Sequence, residues 1–350
     1  MDSARSSSRV PEVSLGMPVY NAEAFLTQTI EHLLNQSFGD VEVVISDNAS
    51  TDATPDICRR FAAQDERVRY SRSAENHGAA WNFNRVLELA RGRYFAWTAA
   101  DDLIAPEFVE TCRERLLADP GVVLAMSRAG VIDGGGLPIV GDCDGGARMR
   151  TGELLTDEAF ANRWSYLGAA SAARRYYGVL VLSRRCYELF GLMRIEAVRQ
   201  TGGLRSYPNA EKVFLAEMSL LGRFAQVPQT QFFSRWYRER FTNNAAADVQ
   251  NSHWSPRTRR KFVWPHQPAC AAGYLLAPFR HRLPLHQRMR CVGRYSQFLL
   301  QVRRWPQILA GALRGTGMTV SLPARQEPSA AAATASLAAG ELHPSDALSP

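Results

Sequence analysis

From Val13 to about Asp133 the chain alternates short runs rich in β-branched residues with stretches whose apolar positions recur every three or four residues. Runs of the first kind read as buried parallel strands, and the second kind as helices lying on the sheet. "VSLGMPVY", "VEVVIS", "VRYSRS" and the run ending at Thr98 supply four strands. Between the first two, Leu26, Ile30, Leu33 and Leu34 mark a helix, which completes one βαβ unit. "DNASTDATPD" has turn chemistry, with Thr54 as N-cap and Pro55 at the first helical position. "GAAWNFNRVLELARG" and "APEFVETCRERLLADPG" predict two more helices, each closed by glycine, and "VVLAMSRAGVID" a fifth strand. Strand and helix in alternation predict an α/β fold, a mostly parallel twisted sheet with helices on both faces.

The second half is less regular. The segments 155–167 and 186–202 read as amphipathic helices, 211–224 as a helix with Val213, Phe214, Met218 and Leu221 inward, and "FAQVPQTQFFSRWYR" as a strand. The predicted organisation is a disordered N-terminus over 1–11, a ligand-binding half over 12–135, an irregular half over 136–245, a basic helical C-terminal region over 246–318 and a disordered Ala/Ser/Pro tail over 319–350.

Composition narrows the class. With 46% hydrophobic residues in 350, the chain can bury a substantial core. The excess of 41 Lys and Arg over 34 Asp and Glu sits largely after residue 235, so the charge describes the C-terminal part. Six cysteines without C-x-x-C pairs read as reduced thiols, and no apolar segment backs the N-terminal arginines or runs long enough to span a bilayer. These features predict a cytoplasmic protein. The basic C-terminal region suggests peripheral contact at the inner face of the membrane. Interleaved aromatics are too sparse for a nucleic-acid binder.

In open α/β sheets ligands bind outside the carboxyl ends of the strands. Pro18, Tyr20 and Asn21 end the first strand, Asp47 and Asn48 the second, Asn76 and Gly78 follow the third, and Asp101 and Asp102 the fourth. All four clusters therefore point to one rim. No G-x-G-x-x-G turn and no G-x-x-x-x-G-K-[ST] loop is present, so a diphosphate would have to be met by a cation or by basic side chains.

In order and spacing, "MPVYNAEAFLTQTIEHLLNQSF", "VVISDNASTDAT", "ENHGAAWNFNRVLELARGRYFAW" and "ADDL" resemble the family 2 glycosyltransferases over roughly residues 12 to 135, and more weakly to about residue 240. The resemblance implies a GT-A fold and an inverting, hexosyltransferase-like enzyme of glycan biosynthesis that takes a nucleotide-diphosphate sugar. Its acceptor would be a glycan, a lipid-linked or a small molecule. Pro18 and Tyr20 would flank the base, Asp47 would hydrogen-bond it, and Asn76 and Gly78 would belong to the loop near the nucleotide. Asp101 matches the last Asp of the family's Asp-x-Asp and would reach a divalent cation, Mg²⁺ or Mn²⁺, on the diphosphate, with Asp102 beside it. The first Asp falls on Ala99, and the family's late histidine is missing from "FFSRWYRERF", where Arg235 or Arg238 offers positive charge instead. The catalytic base would fall on Glu211, with Glu217 as fallback. The alternative is a non-catalytic sugar-nucleotide or glycan-binding protein on the same fold. The literal Asp-x-Asp of "DCDGG", residues 142–146, reads as a glycine-rich loop decoy.

Overall fold

A computed structural model of the chain describes residues 10–137, 163–183, 186–237 and 266–300. Its strands are β1 (Val13–Val19), β2 (Val41–Asp47), β3 (Val68–Arg72), β4 (Tyr94–Trp97), β5 (Leu103–Ile104), β6 (Val122–Ile132), β7 (Leu192–Arg194) and β8 (Arg223–Arg235). They form one sheet in the order β3-β2-β1-β4-β7-β6-β8-β5. β3, β2, β1 and β4 are parallel neighbours. β7 is antiparallel to both β4 and β6, so β6 runs in the same sense as β4, and β8 pairs parallel with β6. The carboxyl ends of β1 to β4, β6 and β8 therefore open on one edge.

The helices are α1 (Glu23–Leu34), α2 (Thr54–Gln64), α3 (Ala79–Leu89), α4 (Phe108–Ala118), α5 (Ala172–Tyr177), α6 (Ile195–Thr201), α7 (Ala210–Leu221), α8 (His266–Arg280) and α9 (Leu285–Leu299). β2 is buried at all seven positions, as expected of a strand covered on both faces. Around it Val13, Leu15, Val43, Ile45, Leu26, Ile30 and Phe95 close the core, which continues without a break to Leu192, Phe214 and Phe232. α2 starts one residue earlier than its cap chemistry predicts, with Ala53 at the N-cap and Thr54 inside the helix. The Thr54 hydroxyl instead accepts the Ala22 N–H at 2.8 Å and ties α2 to the start of α1.

The stretch 186–202 is not a single helix: a 3-10 turn over Tyr187–Phe190, strand β7 and helix α6 share it. Gly191 breaks the period, because a Cβ there would lie 2.7 Å from the Ala125 carbonyl oxygen, and the chain passes flat against β6. The predicted helix over 155–167 is helical from Arg163, its earlier residues lying outside the described residues, as do Arg238 and "DCDGG".

Of the C-terminal helices, α8 packs on α7 and α9 on α5. Gly273 allows the approach, since a Cβ would sit 2.9 Å from a Val213 methyl. Glu217, in the middle of α7, is fully buried, and its Oε1 accepts hydrogen bonds from Arg205 at 2.7 Å and Arg280 at 2.8 Å. The charge is thus a structural cross-link between three segments rather than a solvated helix-face residue.

Candidate active site at the strand ends

The pairing of β1 with β4 stops at Gly16 opposite Trp97, whereas β1 and β2 stay paired to Val19 opposite Asp47. A crevice therefore opens between β1 and β4. It lies where the strand order turns from leftward to rightward progression, the expected place for a ligand in such a sheet. Pro18 sits at the divergence, where its missing N–H costs no ladder bond to β4. Tyr20, just beyond the strand, is exposed.

The loops around the crevice are bound to one another. Asn21, in the left-handed region at φ 49°, accepts the Thr51 N–H at 2.9 Å, while its own N–H donates to Ser50 Oγ at 3.0 Å. Asn48 is buried and donates to Asn76 Oδ1 at 2.9 Å and to the Gly78 carbonyl at 3.1 Å, and it accepts the His77 N–H at 2.9 Å. Asn76 in turn accepts the Gly78 N–H at 2.8 Å, which fixes a turn that needs the positive φ of Gly78, 88°. Asn21, Asn48, Asn76 and Gly78 thus form one polar frame spanning the ends of β1, β2 and β3.

Asp47 is sealed at 0% exposure. Its Oδ1 accepts the Ser50 N–H at 2.8 Å, and its Oδ2 accepts Tyr70 Oη–H at 2.7 Å and Arg72 Nε–H at 3.1 Å. Neither Tyr70 nor Arg72 figured among the residues expected from the sequence. Their signal was the two-residue spacing in β3, which puts both side chains on one face, with Arg72 in register with Asp47.

The adjacent carboxylates after β4 have different surroundings. Asp102 is buried, and its Oδ1 accepts the Arg235 backbone N–H at 2.8 Å, which pins the end of β8. Asp101 is half-buried, and its Oδ2 accepts the Tyr237 hydroxyl at 3.1 Å. Its carbonyl accepts Arg235 Nε–H at 2.8 Å. The Arg235 side chain is completely buried: it also donates to the carbonyls of Asp133 and Gly134 and to Gln28 Oε1, and its guanidinium lies 4.6 Å from the centre of the Phe25 ring. Tyr237 packs on the other contact of Phe25, with ring centres 4.9 Å apart. Arg235 therefore clasps the site from behind. Tyr237 lies 136 residues from Asp101 in the chain, and no local pattern could have paired them.

Glu211 occupies the first turn of α7, after Asn209 in the left-handed region at φ 64°. One turn further on, the Phe214 ring meets Trp97 edge-on at 5.1 Å. Since Trp97 is the last residue of β4, the start of α7 stands beside the strand that delivers Asp101. Glu211 Oε2 is shut off from solvent and accepts no hydrogen bond among the described residues. Burial holds its pKa above the usual carboxylate value, an effect opposed by a backbone hydrogen bond and by Lys212. Burial and then the Glu211 charge push the neighbouring Cys270 thiol up to about 12.

For a divalent cation the described residues contain no group of three His, Cys, Asp or Glu side chains. Ala99 contributes no ligand and Asp102 is turned to the β8 backbone. Asp101 remains as a single carboxylate at the crevice. That set suits a hard ion arriving on phosphate oxygens and keeping its waters, rather than one held by the protein alone.

Comparison with known proteins agrees with this architecture. Residues 14–167 match the model of Glycosyl transferase family 2. Glycosyltransferase GlyG of Streptococcus pneumoniae serotype 4 is 32% identical over 104 residues, 30% of this chain and 35% of that protein. The chondroitin synthase of Escherichia coli is 37% identical over 111 residues, 32% of this chain and 16% of that one. The chain thus matches about a third or less of the length of these relatives. Among solved structures, S. aureus TarS 1-349 in complex with UDP-GlcNAc superposes with a TM-score of 0.55 at 14% identity, covering 87% of this chain and 83% of that one. The rim geometry, the family match and the shared scaffold agree: residues 14–167 match glycosyl transferase family 2, on a mixed α/β sheet of the GT-A fold.

Proposed function

We propose that the chain transfers a sugar from a nucleotide-diphosphate donor to an acceptor hydroxyl with inversion at the anomeric carbon. The observation that supports this reading is the convergence of the ends of β1 to β4 on one crevice, with the half-buried Asp101 after β4 and Glu211, whose Oε2 is shut off from solvent, at the start of the helix that packs on Trp97. The donor base lies between Pro18 and Tyr20. Asp47, whose oxygens are already taken, acts on it by holding Tyr70 and Arg72 in place. Arg72, about two-fifths exposed, also donates to the Ser50 carbonyl at 2.8 Å, in the loop that follows Asn48.

Asp101 would hold Mg²⁺ or Mn²⁺, which when bound would spread the charge of the leaving diphosphate. Tyr237 and Arg235 fix the Asp101 carboxylate and its backbone. Glu211 takes the proton of the acceptor hydroxyl as its oxygen attacks the anomeric carbon. The new C–O bond forms on the face opposite the breaking bond, whose electron pair leaves with the diphosphate. A carboxylate with a raised pKa is a better base than an exposed one. The acceptor is assigned to the second half of the chain.

A second reading, a sugar-nucleotide or glycan-binding protein without turnover, is favoured by Ala99 and by the inward Asp102. Incubation of the full chain with a panel of nucleotide-diphosphate sugars separates the two. Nucleoside diphosphate should raise the melting temperature, more so with Mn²⁺, and the donor should be slowly hydrolysed or transferred. Stabilisation without any release of sugar would support the binder; no stabilisation by any nucleoside diphosphate would sink both.

A further inference from the structure

The two C-terminal helices carry a feature that sugar transfer does not use. α8 presses Cys270, Tyr274 and Ala277 onto the core, leaving Leu275, Leu276 and Phe279 outward and exposed. α9 buries Cys291, Tyr295 and Phe298 and leaves Leu285 and Met289 exposed, the former at 72%. The packing of Gly273 on Val213 and of Tyr274 on Phe298 fixes the inner faces, so neither helix can roll its apolar outer side inward. Phe279 and Leu285 flank the turn at 281–284, and the two exposed stripes therefore meet at one end of a helical hairpin. Isolated exposed leucines are ordinary, but a run of five large apolar side chains on one hairpin tip is not.

Charge identifies the occupant. Residues 266–300 contain five arginines and no Asp or Glu. Arg280 is held by Glu217, and Arg294 stacks over Tyr177. Arg282 and Arg290 are exposed beside the apolar tip. A second copy of this hairpin would set arginines against arginines. A water-facing protein partner would have to supply both a greasy groove and acidic groups, whereas an anionic bilayer supplies both at once, acyl chains under a layer of negative headgroups.

We propose that the α8–α9 hairpin is a monotopic docking surface for anionic lipid. Leu275, Leu276, Phe279, Leu285 and Met289 enter the headgroup boundary, and Arg282 and Arg290 lie on the charged surface. α8 starts against the turn before Glu211, with Cys270 Sγ 3.6 Å from the Pro208 carbonyl oxygen, so the docking element is joined to the helix that bears the proposed base. The inference rests on exposure and charge alone and stands whether or not the chain transfers sugar.

Flotation of the full chain with phosphatidylcholine vesicles, with and without phosphatidylglycerol, tests it. The chain should float with the anionic vesicles and stay behind with neutral ones. Replacing Leu276, Phe279, Leu285 and Met289 together by serine should lower partitioning at least about tenfold with an unchanged circular dichroism spectrum. Arg282→Ala and Arg290→Ala should each cost on the order of fivefold at low salt, less at high salt. Failure of the wild-type chain to float, or flotation of the four-serine variant equal to wild type, would overturn the proposal. So would light scattering that shows a dimer split by the four-serine change while flotation is untouched, because the tip would then belong to a second copy.

Discussion

Glu211→Gln is expected to reduce sugar transfer by about 10²–10⁴-fold, the range of a lost general base, while making the folded protein more stable at neutral pH. The two effects have one origin. Burial raises the Glu211 pKa in the folded state above its unfolded value, so the group favours folding below the ordinary carboxyl range, and that contribution is lost as pH rises through the folded pKa. Glutamine fills the same space without that loss. Melting curves across pH should therefore show the variant above wild type near neutrality, with the gap closing as pH falls below the ordinary carboxyl range. Transfer by the wild-type chain should rise through the same raised pKa, and this limb should vanish in the variant. A Gln variant with normal turnover would remove Glu211 from the chemistry. The fallback, Glu217, is already committed to Arg205 and Arg280.

The second large effect separates the neighbouring carboxylates. Asp101→Ala should lower transfer by about 10²–10³-fold, typical of removing one group that stabilises transition-state charge, with little change in melting temperature. The Asp101 carbonyl, which holds Arg235, survives the substitution. Asp102→Ala should do the reverse. It leaves the Arg235 N–H without its buried carboxylate partner, at a cost of about 1.5–3 kcal/mol read by denaturant unfolding, and it affects transfer only through the loosened end of β8. Equal loss of activity and stability in both variants would mean that the pair acts as one structural unit.

The first half of the fold was legible because each element carried its own signal: β-branched runs for β1 and β2, helical spacing for α1, and Pro or Gly at helix ends. The rim followed from topology, since every strand of a parallel sheet ends on the same side. What could not be read were contacts between distant segments. Tyr237 on Asp101, Phe25 between Tyr237 and Arg235, and the Glu217 cross-link join residues far apart in the chain. The stretch 186–202 failed for another reason. Its apolar spacing suits a helix, but close packing at Gly191 and the sheet pairing of Leu192 and Met193 outweigh that preference.

The central claim is that the ends of β1, β2, β3 and β4 grip a single pyrophosphate-bearing ligand. Hydrogen exchange of the wild-type chain with and without a stabilising nucleoside diphosphate tests it most directly. The account predicts slower exchange together in the segments 19–22, 47–51, 76–79 and 99–102, and no such change at the C-terminal hairpin. Protection confined to one of these segments, or centred elsewhere in the molecule, would contradict it.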